Sequence, residues 1–160
     1  MCSRRNRVGG RVGDGMRAVE TQHPPRDRHR AGDATPLGDV GLHDADRTDY
    51  AFRLAKDGRY EEALALLDTL EKPNTAKALN YRGYATRKLG RTDEGINYYL
   101  QSVKLDPQYA QVREYLGEAY VTKGRLDLAQ EQLQLIQSIC GNTCEEYRDL
   151  AEAIQGASNT

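Results

Sequence analysis

Gly83-Tyr84-Ala85-Thr86-Arg87-Lys88-Leu89-Gly90-Arg91-Thr92-Asp93-Glu94-Gly95 returns 34 residues later as Gly117-Glu118-Ala119-Tyr120-Val121-Thr122-Lys123-Gly124-Arg125-Leu126-Asp127-Leu128-Ala129. In both copies a small residue stands seven positions before a Gly-Arg pair, and another stands five positions after that glycine. A third pair, Gly58-Arg59, lies 32 residues before Gly90, with Ala63 five positions further on. Four residues past each of these small positions comes an apolar or aromatic side chain: Leu67, Tyr99 and Leu133. The period reads as helix, glycine turn, helix, in units of about 34 residues.

The helical spacing agrees. Val112, Leu116, Ala119 and Tyr120 fall on one face of a helix, and Leu126, Ala129, Leu133 and Ile136 continue the stripe after the Gly124 turn. Ile96, Tyr99, Val103 and Leu105 are expected to do the same one unit earlier. Asp106-Pro107 reads as an N-cap followed by proline at the first helical position. Thr143-Cys144-Glu145-Glu146 reads as a capping box opening a last helix over about 144–155, with Tyr147, Leu150, Ala151 and Ile154 inward.

These residues resemble the tetratricopeptide repeat (TPR) family. The runs that carry the likeness are Gly83…Gly90-Arg91…Gly95…Tyr99…Leu105-Asp106-Pro107 and Leu116-Gly117-x-x-Tyr120…Gly124…Ala129…Leu133. The resemblance implies an all-α solenoid of about three helix-turn-helix repeats, near 44–75, 76–109 and 110–141, plus a closing helix at 144–155. The small residues of the first helix (Gly83, Gly117) and of the second (Gly95, Ala129) would sit where two helices approach closely. Arg82 and Thr86 depart from the pattern, where a large apolar and an aromatic side chain are usual. Gly95 stands for the usual Ala, with an expected cost of roughly 0.5–1 kcal/mol. The connection Leu70-Glu71-Lys72-Pro73-Asn74 leaves the first repeat two residues short.

The resemblance also implies a function. TPR arrays hold peptides or partner proteins in a concave groove lined by the first helix of each repeat. The corresponding positions here are Thr48, Phe52, Ala55 and Lys56, then Lys77, Asn80, Tyr84, Arg87 and Lys88, and finally Gln111, Glu114, Glu118, Val121 and Thr122. The groove is therefore expected to be basic around a Tyr84 platform and acidic towards its C-terminal end, so that a partner segment with unlike ends is oriented. Some members clamp a C-terminal carboxylate with Lys and Asn on the first helix. Thr48 and Phe52 occupy those places here, and Glu114 and Glu118 replace cations, so that clamp is not expected.

The remaining 43 N-terminal positions have another character. Residues 1–43 contain no Phe, Tyr or Trp, but 7 of the 15 Gly, 3 of the 5 Pro, all three His, and eight Arg against five acids. A stretch without large apolar side chains cannot offset the cost of ordering, roughly 1–2 kcal/mol per residue, so it is expected to be a disordered tail. Arg4, Arg5, Arg7, Arg11, Arg26, Arg28 and Arg30 form a basic arm, yet acids interrupt it and no aromatic is present to stack on bases. Nucleic acid is not an expected partner. His23, His29 and His43 are spaced too widely for a metal site, and no metal or cofactor is expected.

Across the whole chain, 23 Lys+Arg balance 24 Asp+Glu, and no apolar run is long enough to span a bilayer. No secretory leader is legible, so the chain as it stands is expected in the cytoplasm, or in the periplasm should translation start elsewhere. With no His after His43, a Ser/His or Cys/His pair would have to borrow from the tail, so no catalytic residues and no enzyme are expected. Glu61-Glu62 and Glu145-Glu146 read as acids complementing helix N-termini. Cys140 and Cys144 flank a turn short enough for a disulfide, and three readings stay open: a structural bridge, a redox-responsive pair, or two reduced thiols. The end of the chain resembles small bacterial single-domain TPR proteins, many of them exported, which argues for the bridge, while the lack of a legible leader argues for reduced thiols. The expected function is a scaffold binding a peptide or partner protein in the groove. The alternative is a thiol-redox or disulfide-stabilised envelope protein, and self-association through the repeat ends is a further expectation.

Overall fold

The computed structural model describes residues 43–159. The expectations for the tail, including the basic arm, His23, His29 and Cys2, lie outside the described residues. The described residues form seven helices and no strand: α1 Asp44–Lys56, α2 Tyr60–Asp68, α3 Ala76–Lys88, α4 Thr92–Leu105, α5 Ala110–Thr122, α6 Leu126–Cys140 and α7 Glu145–Ser158. None of these helices is long and apolar enough to cross a membrane.

The Gly-Arg pairs make the tight turns. At Gly90 the backbone takes φ +84°, a left-handed conformation that costs a side chain but not glycine. The Gly90 amide donates to Arg87 O at 2.9 Å and the Arg91 amide to Thr86 O at 3.2 Å, which ends α3 in a Schellman motif. Gly58-Arg59 and Gly124-Arg125 repeat both bonds, onto Ala55 and Leu54 and onto Val121 and Tyr120. Each arginine then stands at the N-cap of the next helix, and Arg59 and Arg91 reach Glu62 and Glu94 at the third helical position. The recurring dipeptide thus ends one helix and starts the next.

α1–α2, α3–α4 and α5–α6 pack as hairpins, and α1, α3, α5 and α7 lie successively beside one another as an inner row. Leu54, Leu67, Tyr99, Leu116, Ile136 and Leu150 fill the space between the rows, each almost wholly buried. Gly83 and Gly95 mark the close approach of α3 and α4. A Cβ at Gly83 would come within 2.6 Å of the Tyr99 ring, and one at Gly95 within 3.0 Å of Gly83 O. A side chain at Gly95 would press on α3, which offsets part of the helix-propensity cost expected for glycine there. Gly117 is pressed by Leu150 of α7, 2.5 Å from where its Cβ would lie.

Four other expectations are corrected. Asp106 does not cap a helix: its Oδ1 accepts the Gln108 amide at 3.0 Å, making a side-chain turn, and α5 begins only at Ala110. Cys144, not Thr143, is the N-cap of α7, and no side chain accepts a capping bond there. α7 continues to Ser158 rather than ending near Gln155. Leu105 is 58% exposed, since it lies two residues past Val103 and so far round the helix; Ser102 is buried instead and donates to Ala76 O at 2.6 Å.

The shortened first unit closes through Asp44. Its carboxylate accepts the backbone amides of Glu71 (3.2 Å) and Lys72 (2.8 Å), and the Lys72 bond holds its pKa below the usual carboxylate value. Arg82, which departs from the family pattern, pairs with Asp68 of α2 and covers the Tyr98 ring at 5.7 Å.

Candidate functional site

Four helices of the inner row surround a concavity of about 310 Å³. Phe52 and Lys56 come from α1, Tyr84 and Lys88 from α3, Gln111, Glu114, Tyr115 and Glu118 from α5, and Glu145, Glu146 and Asp149 from α7. Their placement follows from the period: side chains one turn apart on parallel helices line one face.

The floor is aromatic. Phe52 stacks on Tyr81 with centroids 4.1 Å apart and meets Tyr84 edge-on at 5.8 Å, while Tyr84 packs against Tyr115 at 5.2 Å. Burial raises the hydroxyl pKa of both Tyr84 and Tyr115, so both are neutral. Three cations ring Tyr84: Lys88 at 5.4 Å, Lys56 at 5.5 Å and Arg87 at 6.0 Å from its centroid. Lys56 and Lys88 are exposed, so one wall offers two positive charges over a tyrosine face.

Arg87 is spent inside the protein. Its guanidinium donates to Glu118 at 2.6 Å across α3 and α5 and lies 3.4 Å from the Tyr99 hydroxyl. Glu118 is held by that contact. Glu114, one turn away, is 7% exposed, and its side chain has no hydrogen bond or ion pair with another described residue. Burial, with Glu118, Asp149, Glu146 and Glu145 around it, pushes the Glu114 carboxyl up to about 8. The opposite wall is therefore acidic, and its deepest member holds its proton to higher pH than an ordinary carboxyl.

The structure places the other expected groove residues elsewhere. Asn80 is buried and donates to the Tyr109 hydroxyl (3.2 Å) and Gln111 Oε1 (3.1 Å), joining α3 to the start of α5. Thr48 and Ala55 are buried, and Lys77 pairs with Asp49 at 2.5 Å beyond the concavity. Val121 and Thr122 do not line it. The α7 carboxylates were not among the expected groove residues. They were legible: adding the unit period once more to Gln111 reaches Glu145, but acids in a first turn have a sufficient local reason to be there.

Cys140, the last residue of α6, and Cys144 form a disulfide with their Cα atoms 6.0 Å apart. Their sulfurs and the Glu146 carboxylate lie within 4.8 Å of one another, but sulfurs joined to each other are not thiolate ligands for a metal. The bridge fixes the entrance of α7, directly before two residues of the acidic wall.

Comparison with known proteins follows the repeat. Residues 83–124 match the family model described as TPR repeat. The TPR repeat-containing thioredoxin TTL4 of Arabidopsis thaliana is 35% identical over 81 residues, which is 49% of this chain and 12% of that protein. This chain thus spans only a small part of that relative. The type III secretion translocator chaperone SycD of Yersinia enterocolitica superposes with a TM-score of 0.62 at 19% identity, covering 72% of this chain and 83% of SycD. SycD in complex with a peptide of the translocator YopD gives 0.58 at 20% identity, covering 72% and 88%. The second TPR domain of human RPAP3, in complex with the HSP70 peptide SGPTIEEVD, gives 0.58 at 19% identity, covering 68% and 92%. At these identities the likeness is one of fold.

Proposed function

From the premise that this chain is a tetratricopeptide repeat protein, we propose that it is a protein-interaction module that receives a peptide segment of a partner in the concavity formed by α1, α3, α5 and α7. The observation that carries this reading is the concavity's construction: an aromatic floor between a wall bearing two exposed lysines and a wall bearing exposed carboxylates. Aromatic rings give contact area to any side chain, and the opposed charges orient a segment. That SycD and RPAP3 have been solved with peptides supports the same use of the fold. The reading is of a binding module and not of an enzyme, with the Cys140–Cys144 bridge as a staple for one wall rather than as reactive chemistry.

The test is capture from a lysate of the source cells by the full chain, beside Lys56→Glu/Lys88→Glu. Both lysines are exposed, and a melting curve of the double variant checks that it remains folded. A partner held by the wild type and lost by the variant supports groove binding; one held equally by both contradicts it.

A further inference from the structure

The groove contains a carboxyl that the fold itself leaves without a partner. Glu114 is more than nine-tenths buried, faces the concavity, and its side chain bonds to no other described residue. Among the described residues no cation pairs with it. Arg87 of α3 is bound to Glu118, and Lys88 of α3 and Lys56 of α1 cover the Tyr84 ring. From α5 it faces Glu118, and from α7 Glu145, Glu146 and Asp149. Its stem is packed away while its oxygens open on the concavity, among acids and without a donor from another described side chain. A carboxyl so placed can accept a donor that arrives through the concavity.

Resting on the groove reading above, we propose that this pocket recognises a single basic side chain, Lys or Arg, of the partner segment, its alkyl stem lying against Tyr84 and Tyr115 and its charged head meeting Glu114 beneath the α7 carboxylates. The form of the site selects that ligand. The groove acids are strung along α5 and α7: among the described residues, no three of them bring their oxygens within 4.8 Å of one another, as a bare metal ion requires. A long side chain with an apolar stem and a charged tip fits an aromatic floor ending in a buried acid. The cation ionises Glu114 on arrival, so one proton leaves the carboxyl as the ion pair forms and is taken up by the buffer. Beyond the cation, a carboxylate further along the same segment meets Lys56 and Lys88, which sets the direction of the chain.

The test uses the full chain, residues 1–160, immobilised against a displayed library of random dodecapeptides. Selected peptides are made synthetically and mapped by amide chemical shifts. The expected result is that they perturb Lys88 and Gln111 and share one Lys or Arg. Changing that residue to norleucine then weakens binding about ten-fold or more, the equivalent of one charge-assisted hydrogen bond. Calorimetry at pH 7 in two buffers of different ionisation enthalpy shows the release of up to about one proton per complex. Glu114→Gln, which keeps the shape and removes the titrating group, abolishes the proton release and the preference for the cation while its melting temperature stays at or above the wild type's. Peptides that map to the groove but bind equally with norleucine overturn this inference and leave groove binding standing. Peptides that perturb only other surfaces, or a failure to select any, overturn the groove reading and this inference with it.

Discussion

Leu150 of α7 fills the space in which a side chain at Gly117 of α5 would lie: a Cβ there would meet Leu150 Cδ2 at 2.5 Å and Cγ at 3.1 Å. Leu150 is wholly buried, so it has nowhere to swing. Gly117→Ala is expected to destabilise the protein by about 1–3 kcal/mol despite alanine's better helix propensity. Leu150→Ala is expected to cost about 2–5 kcal/mol. Denaturant unfolding of both singles and the double checks this; the double variant should cost at least about 0.5 kcal/mol less than the sum. Strict additivity would mean that the two residues do not meet.

The disulfide gives a second expectation. In the chain-entropy account, closing so short a loop contributes on the order of 2 kcal/mol. Reduction should lower the melting temperature, and amide exchange should rise across α7 before it rises across α3 and α4. Identical melting with and without reductant, with no free thiols at the start, would remove the structural role of the bridge.

The repeat was legible because its signals are backbone requirements: a turn at φ +84° demands glycine, a close helix contact demands a small residue, and the period displays each demand more than once. The site was legible only as positions. The family resemblance placed Asn80 and Arg87 towards the groove, but it could not tell that Asn80 spends its amide on Tyr109 and Gln111, or that Glu118 neutralises Arg87. Those are contacts between units, which no local pattern encodes. The α7 wall was missed for a related reason, since Glu145 and Glu146 satisfy two demands at once and the nearer one was enough to explain them. Asp106 and Thr143 show the limit of capping signals: each competes with another use of the same residue or its neighbour.

Arg87 and Lys88 are adjacent, yet their substitution should separate. Arg87 is largely buried and ion-paired, so Arg87→Ala strands Glu118 and should cost on the order of 2 kcal/mol. Lys88 is exposed, so Lys88→Ala should change stability by less than about 0.5 kcal/mol while weakening groove ligands. Urea midpoints of the two variants make the comparison.

Glu114 should give stability a pH slope of unusual sign for a carboxylate. Its folded-state pKa, about 8, lies above the unfolded value of 4.5, so the folded state holds the proton more tightly. Its contribution is full below the unfolded pKa and declines as pH rises towards the folded pKa. Each unit across that window removes up to about 1.4 kcal/mol, less as water reaches the carboxyl. Urea midpoints between pH 5 and 8 should fall for the wild type and flatten for Glu114→Gln. Parallel curves would show that Glu114 ionises normally.

Groove binding is tested most directly by a photo-crosslinking amino acid placed at Lys88, in the concavity, and separately at Gln101, exposed on the outward side of α4. Irradiated in a lysate of the source cells, the full chain carrying the probe at Lys88 should form a discrete adduct with a partner, and the chain carrying it at Gln101 should form none. An adduct from Gln101 with none from Lys88 would contradict the account and move the binding surface to the outer row of helices.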